Sequence, residues 1–286
     1  MNLPARIRRE AASALGVRVI EAEGIGGGCI SAAYRLACAD DTIVFLKTAP
    51  AEAPSGMLEQ EAASLRQIAQ TETVRVPGVL GVTHEWLALE WLEPARGSHA
   101  GWADLGRCLA RLHRSRAAQF GREEANCIGA LRQSNDWMSD WPTFWRTQRL
   151  QPQVRLAAAA LGPAAVMRFE RLCDGLDERL AAAAEDGPSL LHGDLWSGNV
   201  HFTAEGGAVI DPSSYYGHRE VDLAMAALFG GFPASFFDAY SAEWPLRAGA
   251  ESRRPIYQLY YLLVHVNLFG SDYVAQTLRL LTAVAD

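Results

Sequence analysis

The apolar residues of this chain change period once, near Glu93-Pro94, and few folds accommodate such a change. Before it, short runs alternate with period two and are broken by glycine, proline and aspartate, the pattern of strands and turns. Residues 17–21, 33–37, 42–48, 79–82 and 87–90 read as strands. One helix interrupts them at 58–68, where Leu58, Leu65 and Ile68 fall on one face. After Pro94 the spacing becomes three and four: Trp102, Leu105, Leu109 and Leu112 form one stripe, Val166, Phe169, Leu176 and Leu180 another. Further helices are expected at 222–228, 233–240, 255–268 and 273–284. A small strand-rich lobe followed by a larger helical one predicts an α+β chain divided into residues 1–92 and 93–286, with a cleft at the junction.

Composition narrows the partners. With 33 acidic and 26 basic residues the net charge is -7, which argues against a general affinity for nucleic acid or an anionic membrane, so any phosphate must be held locally. The five cysteines, Cys29, Cys38, Cys108, Cys127 and Cys173, are scattered and form no Cys-x-x-Cys pair, which fits a reducing cytoplasm rather than a disulfide framework or a zinc site. No apolar run has the length of a signal peptide or a membrane span, and the expected protein is unprocessed and soluble.

Among 26 basic residues only Lys47 is a lysine; the others are arginines. A site that needs a compact ammonium would keep such a lysine, because the planar guanidinium fork cannot replace it. Lys47 shares a strand face with Ile43 and Phe45, and a cation there needs a partner. Glu61 lies on the Leu58, Leu65, Ile68 stripe and supplies one. Upstream, Gly24, Gly26, Gly27 and Gly28 sit between two strands, where backbone amides can approach phosphates as in a glycine-rich cover.

The densest constellation is His192-Gly193-Asp194, then Asn199, then Asp211. Phosphoryl transfer requires a carboxylate to receive the proton of the attacking hydroxyl and oxygen ligands to hold Mg²⁺ against ATP phosphates. Asp194 has the place of the base, Asn199 and Asp211 those of the ligands. Residues 200–202 and 208–210 read as a hairpin turning at Ala204-Glu205-Gly206-Gly207, which would bring Asn199 beside Asp211 at its open end.

At this point the chain resembles the fructosamine kinase (ketosamine 3-kinase) family, itself similar to aminoglycoside and choline phosphotransferases. The likeness rests on Gly26-Gly27-Gly28-Cys29-Ile30-Ser31, Phe45-Leu46-Lys47, Arg75-Val76-Pro77, Asn126-Cys127-Ile128-Gly129, residues 191–200, Asp211-Pro212, residues 215–222 and residues 265–270. It implies a two-lobed protein-kinase-like fold and transfer of the ATP γ-phosphoryl group to the C3 hydroxyl of a ketoamine. The product breaks down and releases the amine, so the implied role is deglycation repair, with ketoamine small molecules or glycated proteins as partners.

Carried onto this sequence, the resemblance makes Asp194 the base, Asn199 and Asp211 the Mg²⁺ ligands, and Lys47 with Glu61 the ATP-positioning pair under Gly26, Gly27 and Gly28. Glu90 through Leu92 become the hinge to adenine, and Asp222 a tie for the catalytic loop. Trp196 either stacks on the substrate or packs internally; Tyr216 and His218 are further substrate contacts. Cys29, in the glycine-rich loop, is a candidate redox switch. Two departures stand out: Pro212-Ser213-Ser214 where the family pattern has Pro-Ala-Cys, and Cys127 where many members have threonine. Two other readings remain open, a kinase for an aminoglycoside, choline or another hydroxylated amine, and a nucleotide-binding pseudokinase scaffold.

Overall fold

In the computed structural model, which describes residues 2–26 and 31–285, the change of period separates two lobes. The first is a five-stranded antiparallel sheet built from β1 (Val19–Ile25), β2 (Ala32–Cys38), β3 (Ile43–Thr48), β4 (Val79–Val82) and β5 (Trp86–Glu90), in the order β1-β2-β3-β5-β4. Alternation along β3 gives the sheet two faces: Val44 and Leu46 are buried, whereas Ile43, Phe45 and Lys47 are half-buried on the other side.

The buried face is covered by α1 (Ala5–Leu15), whose Ile7 and Ala11 pack with Tyr34, Leu36, Val44, Leu46, Trp86 and Ala88. The sequence reading did not include this helix. Arg6, Arg8 and Arg9 dominate its first turns, and two buried positions one turn apart are too few to show a stripe. The half-buried face receives α2 (Met57–Ala69), whose Leu58, Leu65 and Ile68 join Leu87 and Leu89 in a second core. That core continues into the other lobe through Leu105, Leu109, Leu190, Leu195 and Val209, so the two lobes share packing beneath the cleft.

The second lobe begins with α3 (His99–Leu112) and a small hairpin of β6 (Asn126–Ile128) and β7 (Leu131–Gln133). Then come α4 (Trp141–Phe144), a π-helical turn (Trp145–Leu150), α5 (Gln151–Leu161), α6 (Pro163–Asp174) and α7 (Leu176–Ala184). Residues 191–199 lie between β8 (Ser189–Leu190) and the hairpin of β9 (Val200–Thr203) and β10 (Gly206–Val209). After β11 (Tyr216–Gly217) the chain closes with α8 (Glu220–Leu228), α9 (Ala234–Glu243), α10 (Ala250–Phe269) and α11 (Val274–Ala285). The tryptophan-rich stretch supplies core: Trp141 and Trp145 are fully buried, and Trp141 Nε1 donates to the Tyr257 hydroxyl at 3.1 Å.

Three expectations need correction. The apolar stripe through 166–180 belongs to two helices, because the chain breaks at Gly175. The hairpin turn is shorter than expected: Thr203 pairs with Gly206, leaving Ala204-Glu205 as the loop, and Gly206 takes a φ of 132° that favours glycine. Helix α10 starts at Ala250, one turn before Pro255, since a proline near a helix start forfeits only one backbone bond.

Helices α3 and α9 cross where α3 carries Gly106, and a Cβ there would lie 2.2 Å from the Phe236 carbonyl oxygen. Neither backbone can yield without displacing the floor of the cleft. Gly106→Ala is therefore expected to lower Tm by roughly 5–10 °C in a thermal melt.

Candidate active site

The loop of His192, Gly193 and Asp194 is held from below by one carboxylate. Asp222, in the first turn of α8, accepts the backbone amides of His192 at 2.7 Å and Gly193 at 2.9 Å, and His113 Nε2 lies 3.1 Å from it. Burial works against the Asp222 charge, but His113 and the loop amide hold its carboxyl below its ordinary value. Burial also lowers the His113 pKa, so the neutral ring donates from Nε2 to Asp222 and accepts the Tyr240 hydroxyl at Nδ1, 2.8 Å away. Glycine is needed in His-Gly-Asp for steric reasons: Gly193 has φ 86°, and a Cβ would meet the Ser213 carbonyl oxygen at 2.1 Å. The Tyr261 hydroxyl closes the top of the loop with a 2.8 Å bond to the Gly193 carbonyl.

That frame places Asp194 beside Asn199. The Asn199 Nδ2 donates to the Asp194 carbonyl at 2.9 Å and to its Oδ2 at 3.3 Å. Burial, with the Asp211 carboxylate adding to it, pushes the Asp194 carboxyl up to about 7. A carboxylate poised there can take a proton near neutrality. Across the β9–β10 hairpin the Ile210 amide donates to the Asn199 carbonyl at 3.0 Å, which sets Asn199 and Asp211 at the open end together.

Asp211, at φ 54°, reaches Lys47 from one side and Glu61 reaches it from the other. Lys47 Nζ lies 2.8 Å from Glu61 Oε2 and 3.2 Å from Asp211 Oδ1. Burial alone would depress the lysine, but the two carboxylates outweigh it and raise its pKa. One ammonium cannot fully compensate two acids. Glu61, with 10% of its side chain exposed, is pushed up to about 7 by burial despite Lys47; Asp211, 42% exposed, is held below its ordinary value by Lys47 despite burial.

The donor chemistry fits Mg²⁺. Asn199 uses its nitrogen on Asp194, which leaves its amide oxygen, and Asp211 offers a carboxylate: two hard oxygen donors. Among the described residues no group of three or more His, Cys, Asp or Glu is arranged around a metal site, so nucleotide phosphates and water would complete the coordination.

The profile of the fructosamine kinase family matches residues 5–286, nearly the whole chain. The chain belongs to this family. It is 39% identical over 274 residues to the probable ketoamine kinase of Synechocystis, covering 92% of this chain and 90% of that protein. To mouse ketosamine-3-kinase it is 35% identical over 299 residues, covering 93% and 96%. A crystal structure of the fructosamine-3-kinase candidate from Thermobifida fusca superposes with TM-score 0.88 at 35% identity, over 97% of this chain and 98% of that one. The two-lobed α+β architecture is thus the protein-kinase-like fold.

Other expected site residues of this family member fall into place unevenly. Glu90 ends β5; its side chain is engaged by Arg75 at 3.0 Å and the Gly78 amide at 3.0 Å, and its own amide donates to the Gly78 carbonyl at 2.8 Å. The Leu92 carbonyl accepts His201 Nε2 at 3.0 Å, and the Ala95 amide donates to the Phe202 carbonyl at 2.7 Å, which straps the crossing segment to β9. Gly26 is exposed at the end of β1, with open space where a Cβ would stand. Gly27, Gly28 and Cys29 lie outside the described residues.

Trp196 is half-buried: its ring covers Gly198, where a Cβ would meet it at 2.2 Å, and packs on the C-lobe core. Tyr216 is half-buried and its ring centroid lies 6.2 Å from that of exposed Trp137. Burial removes His218 from the expected substrate contacts. It is fully buried, 3.6 Å from Asp186, with its ring stacked on Tyr257 and tilted against Trp141, and it has no surface to offer.

The sequence reading missed an aromatic group beside the loop. His265 lies one turn beyond Tyr261 on α10, its ring 4.6 Å from Phe229, 5.5 Å from Phe269 and 4.8 Å from Tyr273 between centroids. Phe229 and Phe269 remain 36% and 41% exposed. Gly231, two residues after Phe229, packs against Ser197 of the catalytic loop, where a Cβ would come within 2.5 Å. Residues 265–270 carried family likeness in the sequence, but only the fold brings Phe229 and Tyr273 to them.

A carboxyl with a raised folded pKa binds more protons folded than unfolded between the two values, so its contribution to stability falls as pH rises. For Asp194 that window runs from 3.8 to about 7. Asp194→Asn is expected to cut turnover by about 10²–10⁴-fold. The same variant should melt increasingly above the parent protein as pH is raised from 5 to 8 in nucleotide-free thermal scans.

Proposed function

We propose that this chain transfers the γ-phosphoryl group of ATP to the C3 hydroxyl of ketoamines, acting in cytoplasmic deglycation repair. The observation that carries the reading is the convergence of Lys47, Glu61, Asp194, Asn199 and Asp211 in a chain of the fructosamine kinase family. A scaffold that only binds nucleotide would have no use for a carboxylate fixed beside Asn199 at the acceptor end of the nucleotide site, so an active kinase is favoured. Residues 1–92 act as the ATP-covering lobe and 93–286 as the catalytic and substrate lobe.

In this reading Lys47, oriented by Glu61, binds phosphate oxygens, and the backbone of the segment from Glu90 to Leu92 meets the adenine. Asn199 and Asp211 hold Mg²⁺, which when bound neutralises phosphate charge and orients the γ-phosphoryl group. Asn199 Nδ2 fixes the Asp194 carboxylate, and Asp194 accepts the proton of the C3 hydroxyl as its oxygen bonds phosphorus and the bond to ADP breaks. The ester next to the C2 carbonyl then breaks down and frees the amine.

The aromatic group supports an amine-bearing acceptor. His265 Nδ1 donates to the Tyr261 carbonyl at 2.8 Å and burial lowers its pKa, so the ring is neutral and presents Nε2 as an acceptor. With the faces of Phe229, Phe269 and Tyr273 around it, this wall receives the protonated nitrogen or the alkyl chain of the ketoamine. Trp196 and Tyr216 are further substrate contacts in this reading.

ADP release should appear with ribulosamine and fructosamine, free and on lysozyme. Release with aminoglycosides or choline alone would replace ketoamines as the acceptor class. Phe269→Ala is expected to raise the ketoamine KM several-fold, about what an exposed cation–π contact contributes, and to leave the ATP KM unchanged.

A further inference from the structure

Arg122 lies in the connection between α3 and β6 and is not among the groups that meet ATP or the acceptor. Its Nη1 donates to the Ser64 hydroxyl at 2.7 Å, the Ser214 carbonyl at 3.0 Å and the Ser214 hydroxyl at 3.1 Å. Both serines are fully buried, and all three acceptors are neutral oxygens. Among the described residues the side-chain hydrogen bonds of this half-buried cation all go to neutral oxygens, with Glu124 acting on it only through space, so it forgoes the stronger pairing a bonded carboxylate would give. Its value is in what it joins.

Ser64 follows Glu61 by three residues on the same helix, so the two share a face of α2. Ser214 follows Asp211 by three residues, with Pro212 stiffening the interval. One guanidinium thus bridges the element that carries Glu61 and the segment that carries Asp211, the two acids that share Lys47. Neighbouring bonds reinforce the bridge: Ser214 Oγ donates to Gln67 Oε1 on α2 at 3.3 Å, Asn126 Nδ2 to the Ser214 carbonyl at 3.0 Å, and Ser213 Oγ to the Cys127 carbonyl. Ser213 and Ser214 are the positions where this chain departs from Pro-Ala-Cys. An alanine could not donate to Cys127, and a thiol is a weak acceptor for Arg122.

We propose that Arg122, Ser64 and Ser214 form a positioning clamp that locks α2 to the Asp211 segment and keeps the nucleotide site assembled before ATP arrives. The inference rests on the reading of Lys47, Glu61 and Asp211 as that site. A helix free to swing would populate the competent arrangement only in part, and apparent affinity falls by that fraction. The clamp removes this penalty.

The test is Arg122→Met, alone and combined with Glu61→Gln, with ATP affinity measured by calorimetry in the absence of acceptor. Arg122→Met should weaken ATP by about tenfold in the parent background and by little in Glu61→Gln, where the group being positioned is already gone. Amides of α2 should exchange with deuterium faster in Arg122→Met than in the parent protein, without nucleotide. Ser214→Ala, a smaller change, should show both effects in weaker form and serves if Arg122→Met does not fold. Unchanged α2 exchange, or an equal loss of ATP affinity in both backgrounds, overturns the clamp. Failure of the parent protein to bind ATP would instead sink the nucleotide-site reading, while the exchange measurement still decides whether the clamp exists.

Discussion

A single ammonium facing two carboxylates organises this molecule. Lys47 comes from the sheet, Glu61 from the helix packed on it and Asp211 from the far side of the cleft, and no two of them belong to the same element. Because each acid is costly to bury uncompensated, the three elements are held in a narrow range of relative positions. The apolar packing beneath, from Leu58 and Leu65 through Leu87 to Leu195 and Val209, tolerates small shifts more readily than this triad does. Packing brings the lobes together; the triad and the Arg122 bridge fix their register.

The His192–Asp194 loop obeys a second version of the same rule. Asp222 is fully buried and remains ionised because it has donors on every side: two loop amides and a neutral His113 whose tautomer is set by Tyr240. Asp194, by contrast, has one amide nitrogen near its carboxylate and another acid nearby. Two aspartates in one neighbourhood are driven apart in basicity by the number of donors each receives, one becoming structural and the other available to take a proton.

The sequence made much of this legible because its signals were local. Period two placed Lys47 on the half-buried face of β3, helical spacing placed Glu61 toward it, and hairpin pairing set Asn199 beside Asp211. Signals that depend on tertiary packing were lost. Helix α1 has too few apolar residues to announce itself, and the wall of Phe229, His265, Phe269 and Tyr273 is drawn from the ends of three helices. His218 misled because a residue within a family-like block can be there for the core: Asp186, Tyr257 and Trp141 surround it. Arg122 gave no signal at all, since an arginine in a loop reads as solvated until Ser64 and Ser214 are found closing over it.

The electrostatics of the cleft also explain why these parts must act together. Glu61 and Asp211 bond one lysine, Asp194 lies beside Asn199 with Asp211 nearby and Asp222 sits beneath the loop, while His113 and His192 are pushed toward neutrality by burial. Such a site is short of positive charge, and triphosphate alone would worsen the deficit. On the reading that Asn199 and Asp211 hold Mg²⁺, a nucleotide arriving with its own cation would relieve it, by occupying oxygens that otherwise depend on Lys47 or on protonation. On the same reading acidity would act as a selector: the carboxylates that raise Asp194 toward neutrality would also disfavour free triphosphate, so base strength and a preference for metal-bound nucleotide would share one origin.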